Sequence, residues 1–430
     1  MRLSSVLVVI LALAALPPVR AAAQRADASS VDAAILDVLL ARGLIDQGQY
    51  DELLELARAN ASESRGEIDL IEGRLARLRA PDLQTSGGTP GKLLFKSSDG
   101  KWSMAVKGRI QARVENVDST DDTKEAANIS VPRARLGLEG TSGAENVKYR
   151  LEFDLNTNKK LEDPAKEGTL TTRQAWIDWG FENGMAVLLG QTEFPFGREA
   201  MTSSGAQELG ERSILFTEFM PEYEPQVQLH GTANDGEFEY QVAVSNGEGR
   251  GKNNTPGSTK NGLRKGVRVV WNPLGAFKAD GPAFQTVDTG ETRLALGASY
   301  MTNEDSSGLN TNTVGVDTRS LGYEVQVLSG PWAIAAESIT RDEQDSVDVN
   351  DDDKGNLFQV GYLITPTWEV VGRRAAIDFD NKDDMIETGL GLNFYVDRHN
   401  GKWQLEWNRV DAQGVSADTS LWRLGYQLMF

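Results

Sequence analysis

Trp102–Glu115 reads WSMAVKGRIQARVE, and its period decides the fold: Trp102, Met104, Val106, Ile110, Ala112 and Val114 alternate with Ser103, Lys107, Arg109, Gln111, Arg113 and Glu115. A repeat of two places the sets on opposite faces of a β-strand. The next runs set Ala134, Leu136 and Leu138 against Arg133, Arg135 and Glu139, and Val147, Tyr149, Leu151, Phe153 and Leu155 against Lys148, Arg150, Glu152 and Asp154. Further runs at residues 176–181, 185–190, 227–231, 238–245, 263–271, 292–300, 321–327, 332–339, 358–364, 367–379, 386–396, 403–407 and 422–430 bring the total to sixteen. Short connections at 183–184, 329–331 and 397–401 contrast with long polar ones at 118–128, 246–262 and 341–356; residues 272–291 break this rule.

A soluble β-sandwich also alternates. Two features favour a transmembrane barrel. The polar phase of the first three runs holds Lys107, Arg109, Arg113, Arg133, Arg135, Lys148 and Arg150, while the opposite phase is almost free of charge, as lipid contact requires. Aromatic residues also gather near run ends, at Trp102, Trp271, Tyr300, Trp368, Tyr395 and Trp403, where interfacial girdles sit.

Composition narrows the chemistry. The 430 residues include no cysteine and two histidines, His230 and His399, which excludes disulfides and thiol catalysis and leaves little for zinc or a Ser/His triad. With 63 acidic against 44 basic residues the charge is −19, which disfavours nucleic acid as a partner. Residues 1–23 read as a secretory signal: Arg2, an apolar run from Val6 to Leu16, and Ala21-Ala22-Ala23 before Gln24. Its removal takes away Arg2 and Arg20 and leaves a charge of −21. No later apolar run approaches the ~20 residues of a membrane helix. Residues 24–80 read as helical. Leu54, Ala57, Ala61, Ser64, Ile68, Ile71, Leu75 and Leu78 follow at steps of three and four, the pattern of a coiled-coil seam or of one amphipathic helix. Residues 81–91 read as a linker, and 92–430 as the barrel.

The longest interruption of the alternation is the first 34 residues of Gln191–Gly231, QTEFPFGREAMTSSGAQELGERSILFTEFMPEYEPQVQLHG. A long irregular insert inside a compact domain is functional or disordered, and Phe194, Phe196, Leu215, Phe216, Phe219 and Tyr223 argue for an ordered, folded-in loop. It carries Glu193, Glu199, Glu208, Glu211, Glu218, Glu222 and Glu224 against Arg198 and Arg212, so it reads as an acidic constriction facing the basic wall. Arg264 and Arg268 extend that wall. Opposed charges of this kind set up a transverse field that orders polar solutes without demanding one sign of charge.

Leu189–Gly197 (LGQTEFPFG), Met201–Ser204 (MTSS) and Glu211-Arg212 resemble the signature of the phosphate-selective porin O and P family. Arg133–Gly137 (RARLG), Val244–Gly247 (VSNG) and the leader around LLARGLIDQGQYDELL fit the same family, and the final strand, ending on Phe430, resembles the terminal strand of bacterial outer-membrane proteins. The resemblance spans residues 30–430. It implies a sixteen-stranded barrel with an inward-folded third loop, a homotrimer, and an outer-membrane location in contact with lipid and lipopolysaccharide. Phosphate-specific members carry lysines at the constriction; residues 191–224 here have none. The reading is therefore a passive channel for small polar solutes or ions. The alternatives are an anion-specific channel with Arg109, Arg113, Arg133, Arg135, Arg150, Arg264 and Arg268 as a ladder, and an exported β-sheet enzyme or binding protein.

Other chemistry is weaker. Asp351-Asp352-Asp353 lacks the spacing and closing glutamate of a calcium loop and reads as a solvated loop. Glu152 and Asp154, a pair that a glycosidase could use, are equally lumen-facing charges. His230 reads as a polar wall residue. Arg373-Arg374 must turn one guanidinium to lipid in a regular strand, which predicts a strand end or a bulge there. No cofactor or metal is implied.

Overall fold

The structure, a computed structural model, describes residues 36–56, 58, 83–85, 93–121, 125–155, 170–252, 262–277, 291–306, 316–344, 350–414 and 418–430. The signal, residues 1–23, and most of the seam lie outside these. The chain divides into two compact units, Met1–Ala80 and Pro81–Phe430. In the first, residues 36–41 and 47–56 are helical. Asp46 opens the second helix with a reciprocal cap: its carboxylate accepts from the Gln49 amide at 2.8 Å while the Gln49 side chain accepts from the Asp46 amide at 3.1 Å.

The second unit begins with a hairpin, β1 (Leu83–Thr85) and β2 (Leu93–Lys96), so part of the stretch read as linker is strand. Sixteen further strands follow: β3 (Ser103–Ser119), β4 (Ala126–Ser142), β5 (Ala144–Asp154), β6 (Thr171–Gly180), β7 (Met185–Glu193), β8 (Tyr223–Ala233), β9 (Phe238–Ser245), β10 (Arg264–Trp271), β11 (Arg293–Ser306), β12 (Val316–Ser329), β13 (Trp332–Gln344), β14 (Asn350–Thr365), β15 (Trp368–Asp378), β16 (Asp384–Asp397), β17 (Gly401–Gln413) and β18 (Thr419–Met429). Each pairs antiparallel with the next, and β18 closes the ring on β3 from Thr419↔Ser119 to Met429↔Arg109. Beyond that pairing, Gly108 and Phe430 exchange backbone hydrogen bonds of 2.6 and 3.0 Å, and β2 continues along β3 through Leu93↔Val106. A closed barrel leaves no unpaired edge in the bilayer, and sixteen strands enclose an aqueous channel rather than a packed core.

The alternation predicted for each run is realised as faces. Along β10 the pattern of buried and exposed residues is strictly alternating: Arg264, Gly266, Arg268 and Val270 point in, while Lys265, Val267, Val269 and Trp271 point out. At the short-turn ends, aromatic side chains meet across neighbouring strands, as Trp332 with Tyr362, Trp368 with Phe394, and Trp403 with Tyr426, with ring centroids 4.5–4.7 Å apart. They form a band of the kind that sits at a membrane interface.

Three readings are corrected. The long polar connection 341–356 is mostly hairpin, with Arg341↔Asp353 and Glu343↔Asp351 in register. Asp353 is therefore no loop residue; it is buried and paired with Arg341 at 2.6 Å. The Arg373-Arg374 pair sits in unbroken register, Gln359↔Arg373 and Phe358↔Arg374, and the nearest irregularity on that ladder lies at Leu363/Thr365. Of the exceptional connection after β10 the described start, residues 272–277, lies against the barrel: Asn272 is fully buried on Gly236 and Glu239, and the Phe277 ring lies 5.6 Å from the Arg198 guanidinium.

The apolar core lies inside the barrel. Phe194, Phe196, Leu215, Phe219 and Met220 from the long loop pack on inward-facing Ala243, Met301, Ile339, Leu357, Ala375 and Ile377 of β9, β11 and β13–β15. One glycine is indispensable where the loop departs. Gly190 has φ of 136°, and a Cβ there would lie 2.2 Å from the Ala175 carbonyl oxygen of β6. Gly190→Ala should lower barrel stability by about 3 kcal/mol, measured as a lower temperature for the gel-mobility shift of the folded barrel; an unchanged transition would refute the close approach.

Candidate functional site

The loop between β7 and β8 crosses the barrel interior and is fastened chiefly by carboxylates of the wall. Glu337 of β13 accepts from the backbone N–H groups of Arg198 (2.9 Å) and Glu199 (2.7 Å), Glu387 of β16 from Ile214 (2.6 Å) and Glu406 of β17 from Gly210 (2.6 Å). Two short helices, Arg198–Met201 and Ile214–Phe219, stiffen it, the second capped by the Ser213 hydroxyl. Glycines on the wall make room: a Cβ at Gly266 would strike Phe194 at 2.6 Å, and one at Gly355 would strike Leu215 at 2.2 Å.

This docking fills the side of the lumen bounded by β9–β17 and leaves a cavity of about 450 Å³ along β3, β4 and β6. Its lining includes Arg113, Arg133, Arg135, Arg173, Arg212 and Arg250, together with Glu193, Glu211, Glu222, Phe216 and Tyr223. Six guanidiniums thus face three carboxylates.

The basic residues expected on one wall divide into groups. Arg113 and Arg133 both hold Glu211, the first at 2.6 Å, and Arg133 also bonds Gln111 at 3.0 Å. Arg109 and Arg135 donate to the Ser204 hydroxyl at 3.0 and 2.9 Å, and Arg135 pairs with Asp154 at 2.6 Å. Lys107 and Arg150 are paired with Glu139 and Glu152, away from the cavity lining, and Lys148 is exposed, opposite Thr141 and Asp178 in the ladder. Arg264 and Arg268 are buried, on Glu224 and Glu324, and are absent from the lining.

The loop carboxylates divide likewise. Glu193 and Glu211 reach the cavity; Glu199, Glu208 and Glu218 do not. Glu199 is buried against the Ser213 amide and hydroxyl at 2.8 and 2.6 Å, Glu208 against the Gln359 amide at 2.8 Å, and Glu218 pairs with Lys382 at 3.0 Å. Arg198 is buried on Glu324 (3.1 Å) and Gln326 (2.9 Å). Arg212 differs from all of these: its Nε and Nη2 donate to the carbonyls of Glu199 (3.1 Å) and Thr202 (2.7 Å), its guanidinium stacks 4.4 Å from the Phe216 ring, and among the described residues no carboxylate pairs with it.

Arg173, Arg250 and Tyr223 were not singled out by the alternation. Arg173 is the extra residue of a bulge between β5 and β6, where Glu152↔Gln174 is followed by Phe153↔Thr172, so the polar phase slips. Its guanidinium lies 4.2 Å from the Tyr223 ring, and that of Arg250 lies 5.4 Å from it. His230 lies apart from the cavity, 3.0 Å from Asp178.

Burial and charge separate two loop glutamates. Burial opposes ionisation of Glu211, but Arg133 and Arg113 outweigh it and hold the pKa at about 2. Burial, reinforced by the charge of Glu369, pushes Glu208 well above the usual carboxylate range. Glu211 therefore contributes stability present above its unfolded pKa and lost as pH falls toward 2, whereas the Glu208 contribution is full at acid pH and lost as pH rises through its raised pKa. Glu208→Gln should match wild type at acid pH and lose less stability than wild type as pH rises. Glu211→Gln should cost about 1 kcal/mol at neutral pH, as expected for a partly exposed pair. Thermal melts from pH 3 to 9 check both.

Comparison with known proteins follows the same lines. The family described as "Phosphate-selective porin O and P" matches residues 104–430. An uncharacterized protein of Aquifex aeolicus (strain VF5) is 25% identical over 336 residues, 70% of this chain and 80% of that protein. Among solved structures, the anion-selective porin from Comamonas acidovorans is similar at TM-score 0.58 and 12% identity, covering 76% of this chain and 100% of that one. The trimer form of OmpT from Vibrio cholerae is similar at TM-score 0.51 and 10% identity, covering 76% and 99%.

Proposed function

Because the chain belongs to the phosphate-selective porin O and P family, whose barrels are outer-membrane channels for passive diffusion of small hydrophilic solutes, we propose that its constriction is the cavity between β3, β4, β6 and the long loop, and that it favours anions. The observation that carries this is the surplus of guanidiniums over carboxylates in the lining, with Arg212 lacking a carboxylate partner among the described residues. The balanced transverse field expected from the loop composition is disfavoured, since Glu199, Glu208, Glu218 and Glu224, four of the seven loop glutamates, are bonded to amides, hydroxyls, Lys382 or Arg264 away from the cavity lining. An arginine ladder along the whole wall is disfavoured as well, because Arg264 and Arg268 are buried in ion pairs. The reading is a channel rather than an enzyme.

The working assembly is a homotrimer in the outer membrane, a proposal supported by the trimer form of OmpT among the similar folds. Residues 1–23 act as the export signal, 24–80 as a helical segment, a coiled coil or one amphipathic helix, and 92–430 as the channel. The test is a planar-bilayer recording of the full mature chain under a tenfold salt gradient. A zero-current potential of the sign for chloride over potassium supports the assignment, and its shift on adding phosphate reports how far the preference extends to that ion. Equal permeability, or preference for potassium, overturns it.

A further inference from the structure

The regular course of β15 turns Arg374 out of the barrel. β15 runs from Trp368 at the short-turn end to Asp378 at the loop end, and Arg374 is exposed four residues below that end. Its inward neighbour Arg373 is buried and paired with Glu387; Arg374 makes no ion pair among the described residues. Its Nη1 donates to the Thr388 hydroxyl at 3.2 Å.

Register places Arg374 in a polar row. Arg374↔Thr388 joins β15 to β16, and Thr388↔Arg409 joins β16 to β17. Two strand spacings separate the arginines, about 10 Å, with a hydroxyl between them. Arg409 is already shared with Asp411 and with Asp418 at 3.5 Å, so Arg374 is the open cation. The row beneath is apolar throughout: Val360↔Gly372, Gly372↔Leu390 and Leu390↔Trp407. At Gly372 a side chain is missing, and an added Cβ would meet only Val360 and Leu390, at 3.9 and 4.0 Å. The result is a shallow groove on the outer face, headed by a guanidinium and walled by Phe358 and Leu390, both half-exposed.

We propose that this groove docks a phosphorylated glycolipid of the outer leaflet, its phosphate on Arg374 and Thr388 and an acyl chain along Gly372. A guanidinium presents paired donors that fit phosphate oxygens, and a cation at the edge of an apolar band, on the long-loop side, meets anionic headgroups there. A neutral lipid would leave Arg374 unpaired. The proposal rests on the outer-membrane reading above and adds a site on the face opposite the channel lumen.

The test uses the full mature chain extracted from outer membranes, with native mass spectrometry in the presence of lipid A or of lipid A treated with phosphatase. Wild type should retain the phosphorylated form at least fivefold more than the treated form, Arg374→Gln should lose that difference, and Arg374→Lys should keep part of it. Mobility of the unheated band confirms that each variant is folded, and the lysine variant carries the test should the glutamine variant misfold. Equal retention by wild type and Arg374→Gln overturns the site. So does equal retention of both lipids by wild type, or dissociation of an oligomer by Arg374→Gln with lipid unchanged, which would assign the row to a second copy of the chain. Absence of the wild-type chain from the outer membrane would instead refute the location on which the site rests.

Discussion

A channel carrying Arg212→Glu should lose its anion preference and pass chloride about tenfold less readily relative to potassium. Arg212 is the lining guanidinium without a carboxylate partner among the described residues; its position is held by the carbonyls of Glu199 and Thr202 and by the Phe216 ring. Reversing its charge changes the lining from six cations against three anions to five against four. A unit charge about 4 Å from a passing ion is worth about 4 kcal/mol at an effective dielectric of 20. Water in the passage screens most of this, and about 1.4 kcal/mol suffices for a tenfold change. Neutralising Arg113 or Arg133 should act more weakly, because each is tied to Glu211 and the survivor keeps that pair. Zero-current potentials of the three variants under one salt gradient give the order. A potential in Arg212→Glu equal to that of wild type would remove the loop from the selectivity device.

Phe196→Ala should widen the channel. The ring is fully buried, and it packs where Gly322 leaves room, since a Cβ on that glycine would stand 3.3 Å from the Phe196 ring. Emptying a site of this size costs about 3–5 kcal/mol, a large share of the small net margin that remains once conformational entropy is offset. The barrel wall keeps its own ladders, so the loss should appear as loop release rather than unfolding. The expected readings are higher and noisier single-channel conductance, new protease cuts between residues 194 and 222, and an unchanged heat-induced gel shift. Unaltered conductance would mean that the carboxylate anchors at Glu337, Glu387 and Glu406 suffice alone.

How much of this was legible depends on which contacts are local. Sixteen strands could be read because a half-buried strand shows its two faces in consecutive residues, as in Arg264–Trp271. The folded-in loop could be read because Phe194, Phe196 and Phe219 cannot stay in water in an ordered chain. Arg173 escaped because one inserted residue moves every following side chain to the other face. Arg374 sits inside β15, against the irregularity its outward charge predicts, because the outward row there is shared with Thr388 and Arg409 rather than being wholly apolar.

The sequence alone determined the closed sixteen-stranded wall, the location of the inserted loop and the richness of both in charge. Tertiary structure decided which charges face water. Glu199, Glu208 and Glu211 look equivalent in the loop, yet the wall opposite the first two supplies Arg373 and Gln359 in a dry interface, and the wall opposite the third supplies Arg113 and Arg133 beside the open cavity. The physical reason is that burial of a charge is set by partners distant in sequence, here up to 174 residues away between Glu199 and Arg373. Composition counts the loop as acidic; the folded lumen, with Glu199 and Glu208 turned to the wall, presents more arginine than carboxylate.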